Sequence, residues 1–256
     1  MPFVVRRGTR NHNDDAFSTM QERWSAEWEP FRGSPERDFR DSEHYTVLSE
    51  RGLMPPSGAR VLEAGCGYAH IVRSLHALGY DVVGLDYAEG AIELSRERWP
   101  DLQLVQGDLR AMPFEDNSFD LIVSLGAVEH NVEGPERALD DMLRVLKPGG
   151  TLYCSVPCIS TYRKLGALRA REFVVNNATI RSLTGRNPAT EFYEYNYTIA
   201  EYQALLEERG FTVREMVPLR PHTRLARGPM KQAIAQVHAR VPSFFAHMVT
   251  AIATQN

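Results

Sequence analysis

The residues of this 256-residue chain that could do chemistry fall at four places between positions 63 and 130. The first is Glu63-Ala64-Gly65-Cys66-Gly67-Tyr68-Ala69. Gly65 and Gly67 lack side chains, so backbone can approach a ligand closely there, and a helix after the turn would offer unpaired N–H groups. The second is Asp86-Tyr87, about 20 residues beyond the glycines, where a carboxylate can accept hydrogen bonds from both hydroxyls of a ribose. A helix N-cap is the competing assignment for Asp86. The third is Gly107-Asp108-Leu109, whose carboxylate could accept from an adenine amino group. The fourth is Leu125-Gly126-Ala127-Val128-Glu129-His130, where a transferred group would lie. The ordinary pKa of histidine, about 6.5, suits His130 to proton removal, with Glu129 second. The alternative for His130 is a helix-end or substrate-contact residue that moves no proton.

These places need a frame that brings four loops together, and the intervening sequence supplies one. Arg60–Glu63, Asp81–Leu85, Leu102–Gln106, Phe119–Leu125 and Thr151–Val156 read as short buried strands. Helices are expected at 69–78, 88–98 and 135–146, each with its apolar residues in helical phase. Alternation of this length implies a parallel sheet covered by helices on both faces. In such a sheet ligands bind outside the carboxyl ends of the strands, where the strand order reverses. Later, Thr198 and Glu201 form a capping box for another helix. Phe211–Leu219 reads as a sixth strand and Phe244–Ala253 as a seventh that closes the sheet.

Two segments stand outside this rhythm. Residues 1–41 read as an N-terminal helical, partly disordered segment, with 1–20 polar and loosely attached. Phe17, Trp24, Trp28 and Phe31 share one helical face that docks on the remaining domain, residues 42–256, or closes over a ligand. Residues 159–197 are basic, polar and aromatic without a clean period, and read as a lid insertion. Tyr162, Tyr193, Tyr195 and Tyr197 offer apolar faces with polar tips to an acceptor. Arg169 could hold a carboxylate or phosphate by paired hydrogen bonds. Both sets could equally be ordinary lid packing or exposed surface. Residues 1–158 carry a net charge of −10 and residues 159–256 a net +6, which reads as a solvated basic surface or as a basic mouth for an acidic substrate.

The ligand can be narrowed by one position. A dinucleotide pattern starting at Gly65 would need glycine at 70, which is His70. A ligand without a pyrophosphate is therefore preferred. S-adenosylmethionine (SAM), which carries an adenosine, a methionine tail and a sulfonium, is such a ligand. Residues 45–158 resemble class I SAM-dependent methyltransferases, especially the small-molecule branch that includes ubiquinone and menaquinone biosynthesis C-methyltransferases. The resemblance rests on Val61-Leu62-Glu63-Ala64-Gly65-Cys66-Gly67, Val83-Gly84-Leu85-Asp86, Gly107–Phe114, Asn117-Ser118-Phe119-Asp120 and Leu146-Lys147-Pro148-Gly149-Gly150. It implies an α/β, Rossmann-like sheet of seven strands, mostly parallel with the last antiparallel. It implies that Glu63, Gly65 and Gly67 line the methionine part, with Ala64 in the same turn. It further implies that Asp86 holds the ribose, with Tyr87 beside it, and that Asp108 and Leu109 frame the adenine, with Leu125 completing the cofactor set. Ala69 departs from the usual third glycine, for which a small adjustment of the turn is expected.

Composition narrows the partners. The formal charge of −4 and the absence of Pro-Cys or Pro-Pro-aromatic after the fourth strand argue against a nucleic-acid acceptor. Cys66, Cys154 and Cys158 form neither a disulfide framework nor a CxxC pair, which suits a reducing, cytoplasmic setting. No apolar run reaches the roughly 18–20 residues of a membrane span. The histidines are scattered and Asp140-Asp141 lies in a helix, so no metal site is expected. A small-molecule acceptor is the expectation, with a peptide or protein acceptor, or a non-catalytic SAM-binding module, as alternatives.

Overall fold

The computed structural model describes residues 3–7, 24–26, 38–161, 191–221 and 229–255. Its strands are β1 (Phe3–Arg7), β2 (Arg60–Ala64), β3 (Asp81–Asp86), β4 (Gln103–Gln106), β5 (Phe119–Leu125), β6 (Leu146–Pro157), β7 (Glu191–Asn196), β8 (Phe211–Pro221) and β9 (Ala246–Gln255). Its helices are α1 (Glu43–Glu50), α2 (His70–Ala77), α3 (Glu89–Arg98), α4 (Glu136–Val145), α5 (Ile199–Glu208), α6 (Pro229–Arg240) and α7 (Pro242–Phe245).

Seven strands form one sheet in the order β4-β3-β2-β5-β6-β9-β8. Pairing is parallel through β4, β3, β2, β5 and β6, and antiparallel wherever β9 takes part. The expected Rossmann-like sheet with an antiparallel last strand is thus present. One detail differs: the last strand lies between β6 and β8 and does not close the edge. Val249, Ala251, Ile252 and Ala253 are all buried, and residues apolar on both faces belong inside a sheet. Thr212, Arg214 and Glu215 are exposed, and charged side chains suit the edge position that β8 takes.

Each face of the sheet buries its own layer. Ala138, Leu139, Met142 and Val145 of α4, with Tyr202 and Leu206 of α5, pack on one side. Val47 and Leu48 of α1, Val72 and Leu75 of α2 and Ile92 of α3 pack on the other. Local signals fix where the helices start. The Ser42 hydroxyl accepts from Tyr45 N at the head of α1. The Thr198–Glu201 capping box is complete at the head of α5. Helix α2 has no side-chain cap at Ala69; the buried Glu63 carboxylate accepts from Val72 N instead, at 2.9 Å.

The N-terminus corrects one expectation. Residues 3–7 are not loose: β1 pairs antiparallel with β7, from Phe3 opposite Asn196 to Arg7 opposite Glu191, in a separate two-stranded sheet. So the end of the expected lid is a strand, and its partner is the start of the chain. A lone short strand has no stability without a partner, and nothing in either segment names the other. Residues 24–26 are helical, as the aromatic spacing suggested. Phe17, Trp28 and Phe31 lie outside the described residues, as do 162–190.

Candidate functional site

β2 pairs with β3 on one side and β5 on the other, so the strand order reverses at the β2/β5 boundary and leaves a crevice above the strand ends. The Ser124 hydroxyl at the end of β5 donates to the Ala64 carbonyl at the end of β2, at 2.8 Å, and fixes the two ends against each other. A cavity of about 720 Å³ opens there.

Its floor is the glycine turn. Gly65 N and Cys66 N both donate to the Leu85 carbonyl, at 2.8 and 3.0 Å. Gly65 has φ +85°, and a Cβ on it would stand 2.5 Å from the Ala127 Cβ, so glycine is required there. Asp86, 8% exposed, accepts from Gly67 N at 2.7 Å on one oxygen and from Ala88 N at 2.8 Å on the other. Burial pushes its pKa above the ordinary carboxylate value despite those N–H donors. With the Tyr87 backbone also acting on this carboxylate, it retains acceptor capacity for a ligand hydroxyl. Asp86 is not the N-cap of α3, which is Ala88; its carboxylate instead ties the glycine turn to the start of that helix. The adjacent Glu63 carboxyl is buried and its pKa is likewise raised by burial.

Asp108 has a partner that the sequence reading did not name. Arg110 Nη2 donates to its Oδ2 at 2.7 Å, Nε at 3.0 Å, and Arg110 N to Oδ1 at 2.8 Å. Burial works to raise the Asp108 pKa, but these donors outweigh it and the net shift is downward. Glu63, Gly65, Asp86, Tyr87, Asp108, Leu109 and Leu125 all line the cavity together with Arg110. Ala64 and Gly67 hold the turn without lining it. Ala69 is left-handed, φ 53° and ψ 29°, a conformation that costs a non-glycine residue about 1–2 kcal/mol. Alanine is accommodated at the third-glycine position with a local strain.

The far wall is built from other parts of the chain. Trp24, His44, Asp41, His130, Asn131 and Val132 line it. The His130 ring meets Trp24 edge-on at 4.7 Å between centroids, so Trp24 lines the cavity beside His130. His44 Nδ1 is 3.1 Å from the buried Tyr153 hydroxyl. Glu129 does not reach the cavity. It is 1% exposed, burial raises its pKa strongly, and its Oε1 lies 3.9 Å from His130 Nε2. The structure also brings Glu194 of β7 to this pair: one donor atom from each of Glu129, His130 and Glu194 lies within 4.8 Å of the others. Sequence reading missed this cluster because no local spacing links residue 194 to residues 129 and 130.

The expected acceptor residues divide differently. The Tyr195 hydroxyl donates to the Val132 carbonyl at 2.9 Å, holding the lining loop from outside. Tyr197 is 3% exposed and packs on Tyr202 in the core, away from the cavity. Tyr162 and Arg169 lie outside the described residues, and so does the side chain of Tyr193.

Comparison with known proteins bears on the family and the fold. Residues 62–154 match the family model described as a methyltransferase domain. A demethylmenaquinone methyltransferase of Renibacterium salmoninarum is 41% identical over 107 residues, covering 41% of this chain and 44% of that protein. A probable S-adenosylmethionine-dependent methyltransferase of Mycolicibacterium smegmatis is 29% identical over 172 residues, 67% of this chain and 59% of that protein. Among solved structures, a chain of the complex between the Haloferax volcanii Trm112 methyltransferase activator and the putative methyltransferase superposes with a TM-score of 0.61 at 20% identity, over 93% of this chain and 99% of that one; this likeness is one of fold. Over residues 62–154 the fold and the family match are those of a methyltransferase domain. The chain spans about half the length of the demethylmenaquinone methyltransferases that it matches.

Proposed function

We propose that the chain transfers the methyl group of SAM to a small, predominantly apolar acceptor that enters beside Trp24 and His130. The observation that carries this reading is the single cavity running from Glu63, Asp86 and Asp108 to His130, Asn131 and Val132. Its volume lies in the range of about 300–1,000 Å³ typical of small-molecule sites. The adenosyl end takes the ribose on Asp86 and the adenine between Leu109 and the Asp108–Arg110 pair. The sulfonium then faces the turn at Gly126.

Methyl transfer from a sulfonium is an in-line displacement with a neutral leaving group. Alignment and exclusion of water supply most of what is needed, up to roughly 7–11 kcal/mol for alignment in well-oriented systems. The one further requirement is loss of the acceptor's proton where it has one. His130 is the side chain through which the protein acts on that proton, since it alone of the Glu129–His130 pair lines the cavity. The demethylmenaquinone acceptor in the name of the Renibacterium relative supports an oxygenated, apolar acceptor over a peptide. Among the described residues no helix is long and apolar enough to cross a membrane. All three cysteines are buried and none is in a disulfide among the described residues, which favours a reducing cytoplasmic setting.

The test is transfer of label from methyl-labelled SAM to a panel of quinols, phenols and short peptides. Label is expected in an apolar quinol or phenol and lost in His130→Ala. Labelling of peptides alone would overturn the acceptor assignment.

A further inference from the structure

We propose that Glu129, His130 and Glu194 form a binding site for one divalent first-row transition cation, Mn²⁺ or Zn²⁺, in the acceptor wall of the cavity. The inference rests on the acceptor reading above and names what His130 would hold there. Three kinds of observation carry it. The first is geometric. Each residue presents one ligand-capable atom, and these lie within 4.8 Å of one another. The centre of such a triangle is at most about 2.8 Å from each atom, so a contraction of about 0.7 Å apiece reaches the roughly 2.0–2.2 Å of nitrogen and oxygen ligands.

The second is an orphaned group. Glu129 is 1% exposed, and its Oε2 has no hydrogen-bond partner among the described residues. A buried carboxyl oxygen left without a partner is costly. Glu194 brings a second carboxylate within 4.8 Å of this group and of His130. Two acids turned towards one another are held apart by burial and repulsion, and a cation between them removes both costs. The third is donor chemistry. One imidazole and two carboxylates are a borderline-hard set that suits Mn²⁺ or Zn²⁺ better than an all-oxygen calcium cage.

The placement has a consequence for the acceptor. Glu129 and His130 sit on the 3₁₀ turn Val128–His130 that leaves β5. Glu194 sits on β7, opposite Val5 of β1. A cation shared between them would pin the β1/β7 ribbon to the cavity wall. Three protein ligands leave positions open, and with His130 lining the cavity an open position can take an oxygen of the acceptor. The acceptor class then becomes a molecule with a hydroxyl, enol or carboxylate beside the carbon or oxygen to be methylated.

The experiment uses the full chain, stripped with EDTA and titrated with Mn²⁺ alone by electron paramagnetic resonance. S-adenosylhomocysteine binding is followed in parallel by calorimetry. One saturable Mn²⁺ site per chain is expected. Glu194→Gln, which preserves side-chain shape, should weaken Mn²⁺ by more than the roughly tenfold that losing a supporting hydrogen bond costs at metal sites. It should leave S-adenosylhomocysteine affinity unchanged. His130→Ala should do the same. Absence of a saturable site for Mn²⁺ and for Zn²⁺ in a protein that still binds S-adenosylhomocysteine would overturn the metal site and leave the methyltransferase reading standing. Unchanged Mn²⁺ affinity in Glu194→Gln would overturn it as well. Failure of the wild-type protein to bind S-adenosylhomocysteine would remove the reading on which it rests.

Discussion

The two ends of the cavity are built in different ways. The end proposed for the adenosyl group comes from the tips of three neighbouring parallel strands, β2, β3 and β4, and lies within residues 63–110. Its acidic groups are tied to the chain: Glu63 to Val72 N, Asp86 to Gly67 N and Ala88 N, Asp108 to Arg110. The end proposed for the acceptor is assembled from residue 24, the 38–44 segment and the turn after β5, which are remote in sequence, with Tyr195 of β7 bracing that turn from outside. Sheet order alone creates the first end, whereas the second depends on segments added around the sheet. The difference explains how one fold keeps its cofactor while its acceptor varies. Loops around a rigid frame can change without disturbing the strand tips.

Substitutions at the two ends should therefore fail in different ways. The largest effect is expected for His130→Ala, which should lower turnover by about 10²–10⁴-fold, the usual contribution of a positioned proton-transfer group, without altering SAM affinity. Steady-state kinetics with calorimetry checks this, and equal turnover would place His130 outside the chemistry. Gly65→Ala comes next. Its Cβ meets Ala127 and its φ is left-handed, so a stability loss of about 2–4 kcal/mol is expected from strain and overpacking together. On the acceptor wall Val132, 55% exposed, should tolerate serine within about 0.5 kcal/mol. Denaturant unfolding compares the two, and equal losses would erase the contrast.

Glu129→Gln gives a pH-dependent effect. Burial raises the Glu129 pKa in the folded state above its unfolded value. The folded protein therefore keeps a proton that the unfolded chain releases, and wild-type stability falls as pH rises above the ordinary carboxylate range, about 4.3. The glutamine variant lacks this loss. In the presence of chelator its stability advantage should grow with pH from there upward, and a constant difference between pH 4 and 8 would contradict the burial argument. A small effect of the opposite sign is expected for Ala69→Gly. Relief of left-handed strain, partly offset by glycine's chain entropy, should stabilise by about 0.5–1 kcal/mol, read as a Tm rise of a few degrees.

The same division decides what could be read from sequence. That Gly65, Asp86 and Asp108 share one crevice was legible because strand–turn–helix spacing is local and sheet order follows from it. Arg110 was not singled out, although its place two residues after Asp108 allows the fork to close on the carboxylate. Trp24 was placed on a docking face, with closure over a ligand only as an alternative. Glu194 could not be connected with His130 at all. Its position depends on β7 pairing with β1, and two short strands of ordinary composition carry no label for each other. Tyr197 had the side-chain type of a ligand contact, but its ring is in the core, a matter of register that periodicity in an irregular segment does not settle.

The central claim is that the glycine turn and Asp86 hold an adenosyl ligand. Calorimetric titration of S-adenosylhomocysteine into wild-type protein and into Asp86→Ala, with folding of both checked by melting, tests it most directly. Saturable binding to the wild type is expected, weakened about 10–100-fold in the variant, as loss of hydrogen bonds to a charged group of about 1.5–3 kcal/mol requires. No heat with the wild type, or equal affinity in the two proteins, would contradict the account.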